Sequence, residues 1–305
     1  MAGGQERVLR RRIRSVQSTK KITKAMELIA ASQIVRSQSR IAANRPYRAG
    51  MARLVAEAAL GDPTAAAKLL GVPGARRKVA VLSIVADRGL SGPYNSSVLR
   101  ATERLLGELG SEGIEARLYT VGKKAVSYFR FRGQPVEHSF VGMSERPAFA
   151  DARAVATAVA APFVAGDVDQ VLLVSTRFHS AGRQEVQTLQ LLPMLDPADR
   201  VSEDGATPVP GRALGGYTEF EPDVETLLAE LAPKAVESEV FSALLEGAAS
   251  FFTAQQRAMA AASDNADELV RTLSRIMNRA RQDAITTEIM EIVGGAEALR
   301  QSKGA

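Results

Sequence analysis

The chain has 305 residues, a formal net charge of +5, and neither cysteine nor tryptophan. The absence of cysteine excludes disulfide frameworks, thiolate metal sites and cysteine nucleophiles. No apolar run approaches the roughly 18 residues that cross a membrane, and the arginine-rich start carries no secretory signal, so we expect neither membrane insertion nor export.

Positive charge is concentrated at the start of the chain. The first 53 residues hold thirteen Lys or Arg and two acids, whereas the remaining residues carry a net charge of −6. Such a segment suits an acidic protein partner, an anionic membrane surface or nucleic acid, or is simply a solvated helix face. No aromatic RNA-binding motif or zinc finger accompanies it, so we expect no nucleic-acid binding.

The first predicted element is a long N-terminal helix. Residues 5–45 contain neither Gly nor Pro, the strongest helix breakers, and as a helix they would span roughly 60 Å. One side of this helix is apolar, although its spacing is irregular: Leu9, Ile13, Val16, Ile22, Met26 and Ile29.

The middle of the chain alternates strand and helix patterns. This alternation predicts a mainly parallel sheet with helices on its faces, and residues 197–216 have a loop composition. Strands are predicted at 78–86, 115–121, 136–141, 170–178 and 185–192. One helix is predicted to follow residues 87–95 and to end near Leu109, and two more are predicted at 122–131 and 147–165.

A second long helix is predicted near the C-terminus, where residues 248–293 again lack Gly and Pro. Apolar residues recur there with alternating steps of four and three, the pattern of a coiled coil. We expect this helix to pair with the N-terminal one, and antiparallel pairing is favoured because a compact middle domain joins them. The repeat comprises Phe241, Leu245, Ala248, Phe252, Gln255, Met259, Ala262, Ala266, Leu269, Leu273, Ile276 and Ala280; a second register follows with Ile285, Ile289, Ile292, Ala296 and Leu299.

The predicted organisation therefore has three parts. Residues 1–60 form the N-terminal coiled-coil helix, residues 75–200 an α/β domain, and residues 217–305 the C-terminal coiled-coil helix. The expected fold class is α/β, with a long antiparallel coiled coil attached to the α/β domain.

No motif in the sequence indicates catalysis, a metal or a cofactor. The turn at residues 87–92 follows a strand and precedes a helix, but it is neither GxGxxG nor a P-loop, so a nucleotide-binding enzyme is a weak alternative. His138 and His179 lack the neighbours of a zinc site or a catalytic triad. The carboxylates at Glu219, Glu221 and Asp223 are interpreted as surface groups.

Several segments, in this order, together resemble the gamma subunit of the F-type ATP synthase. The first is RIRSVQSTKKITKAMELIAAS at 12–32, and the second is DRGLSGPYN, in which Ser91 and Pro93 stand where that family usually has Cys and Ala. The other matching segments are at 220–223, 261–269, 278–289 and 291–296.

The resemblance implies the rotating central stalk of a proton-driven ATP synthase, which transmits torque between the membrane ring of c subunits and the catalytic hexamer. It implies an antiparallel coiled coil, a Rossmann-like α/β domain, no catalytic site of its own and no cofactor. Its implied partners are the alpha, beta, epsilon and c subunits, at the cytoplasmic face of a bacterial plasma membrane. The alternative is a stand-alone coiled-coil adaptor or scaffold whose basic end docks on an acidic partner.

The resemblance also implies which residues contact those partners. Glu221 matches a position that faces the c-ring or the epsilon subunit. The residues that match positions facing the alpha/beta hexamer are Arg281, Gln282, Thr286, Glu288, Arg257, Lys20, Lys21, Lys24 and Met26.

Overall fold

The computed structural model describes residues 2–70, 74, 76–194, 221 and 223–303. The loop predicted at 197–216 lies outside the described residues. The chain divides into two compact units, one built from Met1–Ile29 with Gln256–Ala305 and the other from Ala30–Gln255. We call the first the chain-end unit and the second the α/β unit.

Two long helices are formed by the chain termini, as predicted. Helix α1 is Ala2–Gly61, with 60 residues, and α6 is Val224–Lys303, with 80 residues. Both extend past the uninterrupted stretches from which they were predicted, because α1 continues through Pro46 and α6 through Pro233. Each proline removes one N–H donor from its helix. Full burial of apolar residues near them, such as Val55 on α1 and Leu228 on α6, holds both helices in place.

The start of α6 is fixed by Asp223. Its carboxylate accepts the Thr226 backbone N–H at 2.9 Å and the Thr226 hydroxyl at 2.8 Å. This is the pattern of a helix N-cap, and the backbone hydrogen bond from Thr226 lowers the pKa of Asp223. Asp223 is exposed, as interpreted from the sequence, and it also caps α6; Glu219, interpreted in the same way, lies outside the described residues.

The α/β unit contains one five-stranded sheet in the order β3-β2-β1-β4-β5. Four strands are parallel and β5 pairs antiparallel with β4, so the prediction of a mainly parallel sheet is confirmed. The strands are β1 Lys78–Ile84, β2 Glu115–Val121, β3 His138–Phe140, β4 Gln170–Phe178 and β5 Gln184–Leu192, and the shorter helices are α2 Pro63–Leu70, α3 Tyr94–Ser111, α4 Lys123–Phe131 and α5 Phe149–Val164.

The sheet is buried on both faces. Successive residues of a strand point to opposite faces, and β1 shows the result: Val79 and Val81 pack in one apolar cluster, Ala80 and Leu82 in another. The first cluster includes residues of α3 and α4, whereas the second includes residues of α5, α1 and α6. Within the α/β unit the two long helices thus form part of the core.

In the chain-end unit, α1 and α6 pair antiparallel, as predicted. Lys20 Nζ lies 2.5 Å from Asp267 Oδ1, and the Thr23 and Ser263 hydroxyl oxygens lie 2.7 Å apart. A higher residue number on α1 therefore meets a lower one on α6. The seam, meaning the row of buried residues of this unit, consists of Ile13, Thr23, Met259, Ser263, Ala266 and Leu273.

The predicted register of the seam is wrong at four apolar positions. Ile22 and Ile29 are each 59% exposed, Leu269 is 41% exposed and Ile276 is 49% exposed. The seam instead takes the neighbouring positions, including Thr23 and Ser263, whose hydroxyls satisfy each other. A search for the repeat among apolar residues alone misses such polar positions, so the predicted seam lies one residue away from the observed one at these places.

Candidate partner-contact surface

The basic N-terminal segment presents a partly neutralised surface. Lys20 pairs with Asp267 across the seam, and Lys24 Nζ lies 2.9 Å from Glu27 Oε1 one turn along the same helix. Lys21 is exposed, and Met26 is half-buried beside the seam. Exposed ion pairs of this kind contribute little to stability, and the Lys20 and Lys24 side chains are 39% and 57% exposed.

Polar candidates on α6 lie on the surface of the chain-end unit. Arg257, Arg281, Gln282, Thr286 and Glu288 are all exposed. Gln282 and Thr286 are one helical turn apart, and the Thr286 hydroxyl donates to the Gln282 carbonyl at 3.0 Å. Because residues four apart share a helix face, these two side chains form one continuous polar strip.

An exposed apolar strip accompanies these polar residues. The second register predicted beyond Ala280 is not buried: Ile285 is 49% exposed, Ile289 54% and Ile292 71%. The antiparallel register from Lys20–Asp267 brings Ala2, where α1 begins, opposite Ile285. Beyond that point, no residue of α1 that the structure describes lies opposite α6 in this register.

Sequence reasoning missed this strip as a contact surface. Five large apolar side chains within nine residues are exposed there, a density that marks a protein-interaction site. The missed signal was the run of apolar residues itself, which was interpreted as a second coiled-coil register. The strip consists of Ile285, Ile289, Met290, Ile292 and Val293.

Glu221, the remaining candidate, belongs to the α/β unit. It is exposed and lies in a bend two residues before Asp223 caps α6.

The turn at residues 87–92 is organised around the Asp87 carboxylate. It accepts the backbone N–H groups of Lys123, Gly142 and Ser144 at 3.0–3.3 Å, and the Ser144 hydroxyl at 2.8 Å. Partial burial raises the pKa of Asp87, but these four donors outweigh it, and the pKa lies below its usual value.

Asn95 closes the same turn from the other side. Its side-chain oxygen accepts the Ala86 N–H at 2.9 Å, and its amide donates to the Arg88 carbonyl at 3.0 Å. The Lys123 N–H, at the start of α4, already donates to Asp87. The helix that follows this turn is α3, where the Tyr94 N–H donates to the Ser91 carbonyl at 3.2 Å and Pro93 has no N–H to offer a phosphate.

Two features of the described residues bear on other site classes. No three His, Cys, Asp or Glu side chains in this part of the chain lie close enough to hold a metal ion. Among the same residues, no helix carries an apolar stretch that meets the length and hydropathy of a membrane span.

Comparison with known proteins decides the family. The model of the ATP synthase family matches residues 5–299, and the ATP synthase gamma chain of Parafrankia sp. is 48% identical over 97% of this chain and 98% of that protein. The chain belongs to the ATP synthase gamma chain family.

Solved structures of central stalks share the fold. The central stalk/c-ring structure of the Tetrahymena thermophila mitochondrial ATP synthase contains a chain that is 27% identical and matches with a TM-score of 0.61, over 79% of this chain and 99% of that one. In the OSCP/F1/c-ring structure from Euglena gracilis, a 19% identical chain matches with a TM-score of 0.67, over 99% of this chain and 97% of that one. The predicted α/β fold class with its antiparallel helices is thereby confirmed, and the adaptor interpretation is not favoured.

Proposed function

We propose that this chain is the rotating central-stalk subunit of a proton-driven ATP synthase, carrying torque between the c-ring and the alpha/beta hexamer. The observation that carries the proposal is the end-to-end match to gamma chains, 48% identical over 97% of the chain. The chain-end unit suits the role, because its paired helices present different side chains on different faces. Rotation of such a unit changes what a surrounding partner contacts.

The end of α6 is the proposed contact with the alpha and beta subunits. Arg281, Gln282, Thr286 and Glu288 offer charge and hydrogen bonds beside the exposed apolar strip. Arg257 and Met26 lie further along the same unit. Lys20, Lys21 and Lys24 supply positive charge to meet acidic surfaces of the hexamer, an attraction that is screened by salt.

The α/β unit is the proposed foot of the stalk. Glu221 is exposed on it and would face the epsilon subunit or polar loops of the c-ring. In this proposal the chain has no catalytic site or cofactor and leaves ATP chemistry to other subunits. It is a peripheral protein at the cytoplasmic face of a bacterial plasma membrane. Its three parts are the N-terminal coiled-coil helix at 1–60, the α/β domain at 75–200 and the C-terminal coiled-coil helix at 217–305.

The proposal is tested by purifying a tagged chain in mild detergent. We expect the alpha, beta, epsilon and c subunits to co-purify with ATPase activity, while the isolated chain gives no calorimetric signal with ATP. An Ile289→Glu, Ile292→Glu variant should lose alpha and beta, whereas Leu60→Glu, at a position 78% exposed in the α/β unit, should retain them. Recovery of the chain alone, or saturable ATP binding by it, contradicts the proposal.

A further inference from the structure

A buried carboxylate joins three elements of the α/β unit. Glu246, on α6, accepts the Phe178 backbone N–H at 3.1 Å and the Ser242 hydroxyl at 3.2 Å. Phe178 is the last residue of β4, and the nearest guanidinium nitrogen of Arg48, on α1, lies 3.9 Å from Glu246. One side chain thus touches the sheet, the N-terminal helix and its own helix.

A second buried carboxylate binds the same arginine. The Arg48 guanidinium donates to both oxygens of Glu239, from Nε at 3.0 Å and from Nη2 at 2.9 Å. The Arg48 and Glu239 side chains are 11% and 7% exposed. Such forked pairs are stronger and more directional than neutral hydrogen bonds, so this one fixes the position of α1 along α6.

The surroundings of these charges are apolar. Leu245 and Ala249 of α6 pack with Ile41 of α1 and with Phe178. Apolar burial favours contact but has no preferred direction, so a purely apolar junction resists separation better than it resists sliding. Charged groups are costly to bury, and their presence here calls for a role that apolar packing does not supply.

We infer that Arg48, Glu239 and Glu246 form a torque joint, which locks the end of β4 to both long helices against sliding and twisting. The inference rests on the proposed function, because a load exists only if the α/β unit is driven by the ring. The three side chains are positioning residues: they are almost fully buried within the α/β unit and act by keeping the sheet and the two helices in register.

The test uses the assembled synthase in inverted membrane vesicles and compares proton uptake with ATP hydrolysis. In Glu246→Leu the Phe178 N–H loses its acceptor and Arg48 loses one ion-pair partner, while the side-chain volume is roughly kept. We expect this variant to assemble and hydrolyse ATP, but to pump about threefold fewer protons per ATP, because a buried charged hydrogen bond is lost. Glu246→Gln keeps an acceptor for Phe178 and should retain most of the pumping.

The matched control is an exposed ion pair on α1, the helix that carries Arg48. Arg53 Nε lies 3.4 Å from Glu57 Oε1, and both side chains are more than half exposed, so Arg53→Met should leave the proton-to-ATP ratio unchanged. An unchanged ratio in assembled Glu246→Leu complexes, even with a lower melting temperature, would overturn the inference and leave only a stabilising role.

Two further outcomes are also decisive. If Glu246→Leu does not assemble, Arg48→Met is measured in its place, and a ratio equal to that of Arg53→Met overturns the inference. If the unaltered chain supports no ATP-driven pumping at all, the proposed function itself fails. If the unaltered chain pumps and only the inference is wrong, the variants pump as well as the unaltered chain does.

Discussion

Thr23 and Ser263 meet hydroxyl to hydroxyl, with 2.7 Å between their oxygens, in the buried seam between α1 and α6. The Thr23 hydroxyl also lies 3.0 Å from the Lys20 carbonyl, and that of Ser263 lies 2.9 Å from the Met259 carbonyl. Two hydroxyl protons therefore serve three contacts, and one hydroxyl donates across the seam while the other donates within its own helix.

This arrangement predicts energetic coupling between the two residues. Thr23→Val and Ser263→Ala should each lower the free energy of unfolding by about 1 kcal/mol. The double variant should lose less free energy of unfolding than the sum of the two single losses, because the second change removes a hydroxyl whose partner across the seam is already gone. Urea unfolding of all four proteins, followed by circular dichroism, measures the coupling, and strictly additive losses contradict it.

Gly247 gives a second prediction, from the close approach of Tyr94. A Cβ at position 247 would lie 3.1 Å from the Tyr94 hydroxyl oxygen, and Tyr94 is only 7% exposed. Gly247→Ala should therefore lower the free energy of unfolding by about 1–3 kcal/mol through overpacking. Tyr94→Phe should relieve part of this loss.

Gly107, in the interior of α3, is the matched control for Gly247. Nothing lies within 4 Å of a Cβ added there, so Gly107→Ala should stabilise the chain by about 0.5–1 kcal/mol through helix propensity. Thermal unfolding of the two alanine variants should shift in opposite directions. Equal shifts of the same sign would show that the Tyr94 contact has no part in the effect.

The third prediction concerns acid stability and Asp87. The folded-state pKa of Asp87 lies below its usual value of 3.8, so its stabilisation is present above that value and is lost as pH falls through the lowered pKa. Asp87→Asn should reduce stability at neutral pH and flatten the loss below about pH 4. Melting temperatures from pH 2 to 7 test this, and a parallel acid loss in both proteins contradicts it.

The fourth prediction concerns the polar strip at the end of α6. Changing Gln282 and Thr286 to Ala removes hydrogen-bonding groups from a shared face without touching the buried seam. Within the proposed function, ATP-driven rotation should slow by about tenfold, because two interfacial hydrogen bonds at about 0.7 kcal/mol each amount to about 1.4 kcal/mol, a factor of ten in rate. Thr287→Ala is the control: its hydroxyl makes the same kind of intrahelical hydrogen bond, to the Asp283 carbonyl at 2.9 Å, but its side chain leaves the helix about 100° away from that of Thr286. Equal rates for both variants contradict the assignment.

Most of the fold was predictable because helix and strand periods are local. Strands β2 and β4 have the predicted bounds, and β1, β3 and β5 differ only at their ends. The seam register was not predictable from apolar residues alone, since Thr23 is buried while its neighbour Ile22 is exposed. Which of the two faces inward depends on the partner helix.

The candidate contacts show the same limit. Exposure of Arg281 and Gln282 followed from their polarity, and family resemblance assigned them a role. The exposure of the apolar strip around Ile289 depends on the register of α1 against α6, which only the structure provides. The buried ion pair of Arg48 with Glu246 could not be predicted from the sequence either, because the two residues lie nearly 200 positions apart.

Rotation of this chain inside the assembled synthase tests the account most directly. The chain has no cysteine, so Val164→Cys, at a position 83% exposed, gives its only thiol for attaching a probe. With the hexamer immobilised, a bead on that thiol should turn in one direction when ATP is added and stop when ATP is removed. A bead that only fluctuates about a fixed angle, while the same complexes hydrolyse ATP, would contradict the central claim.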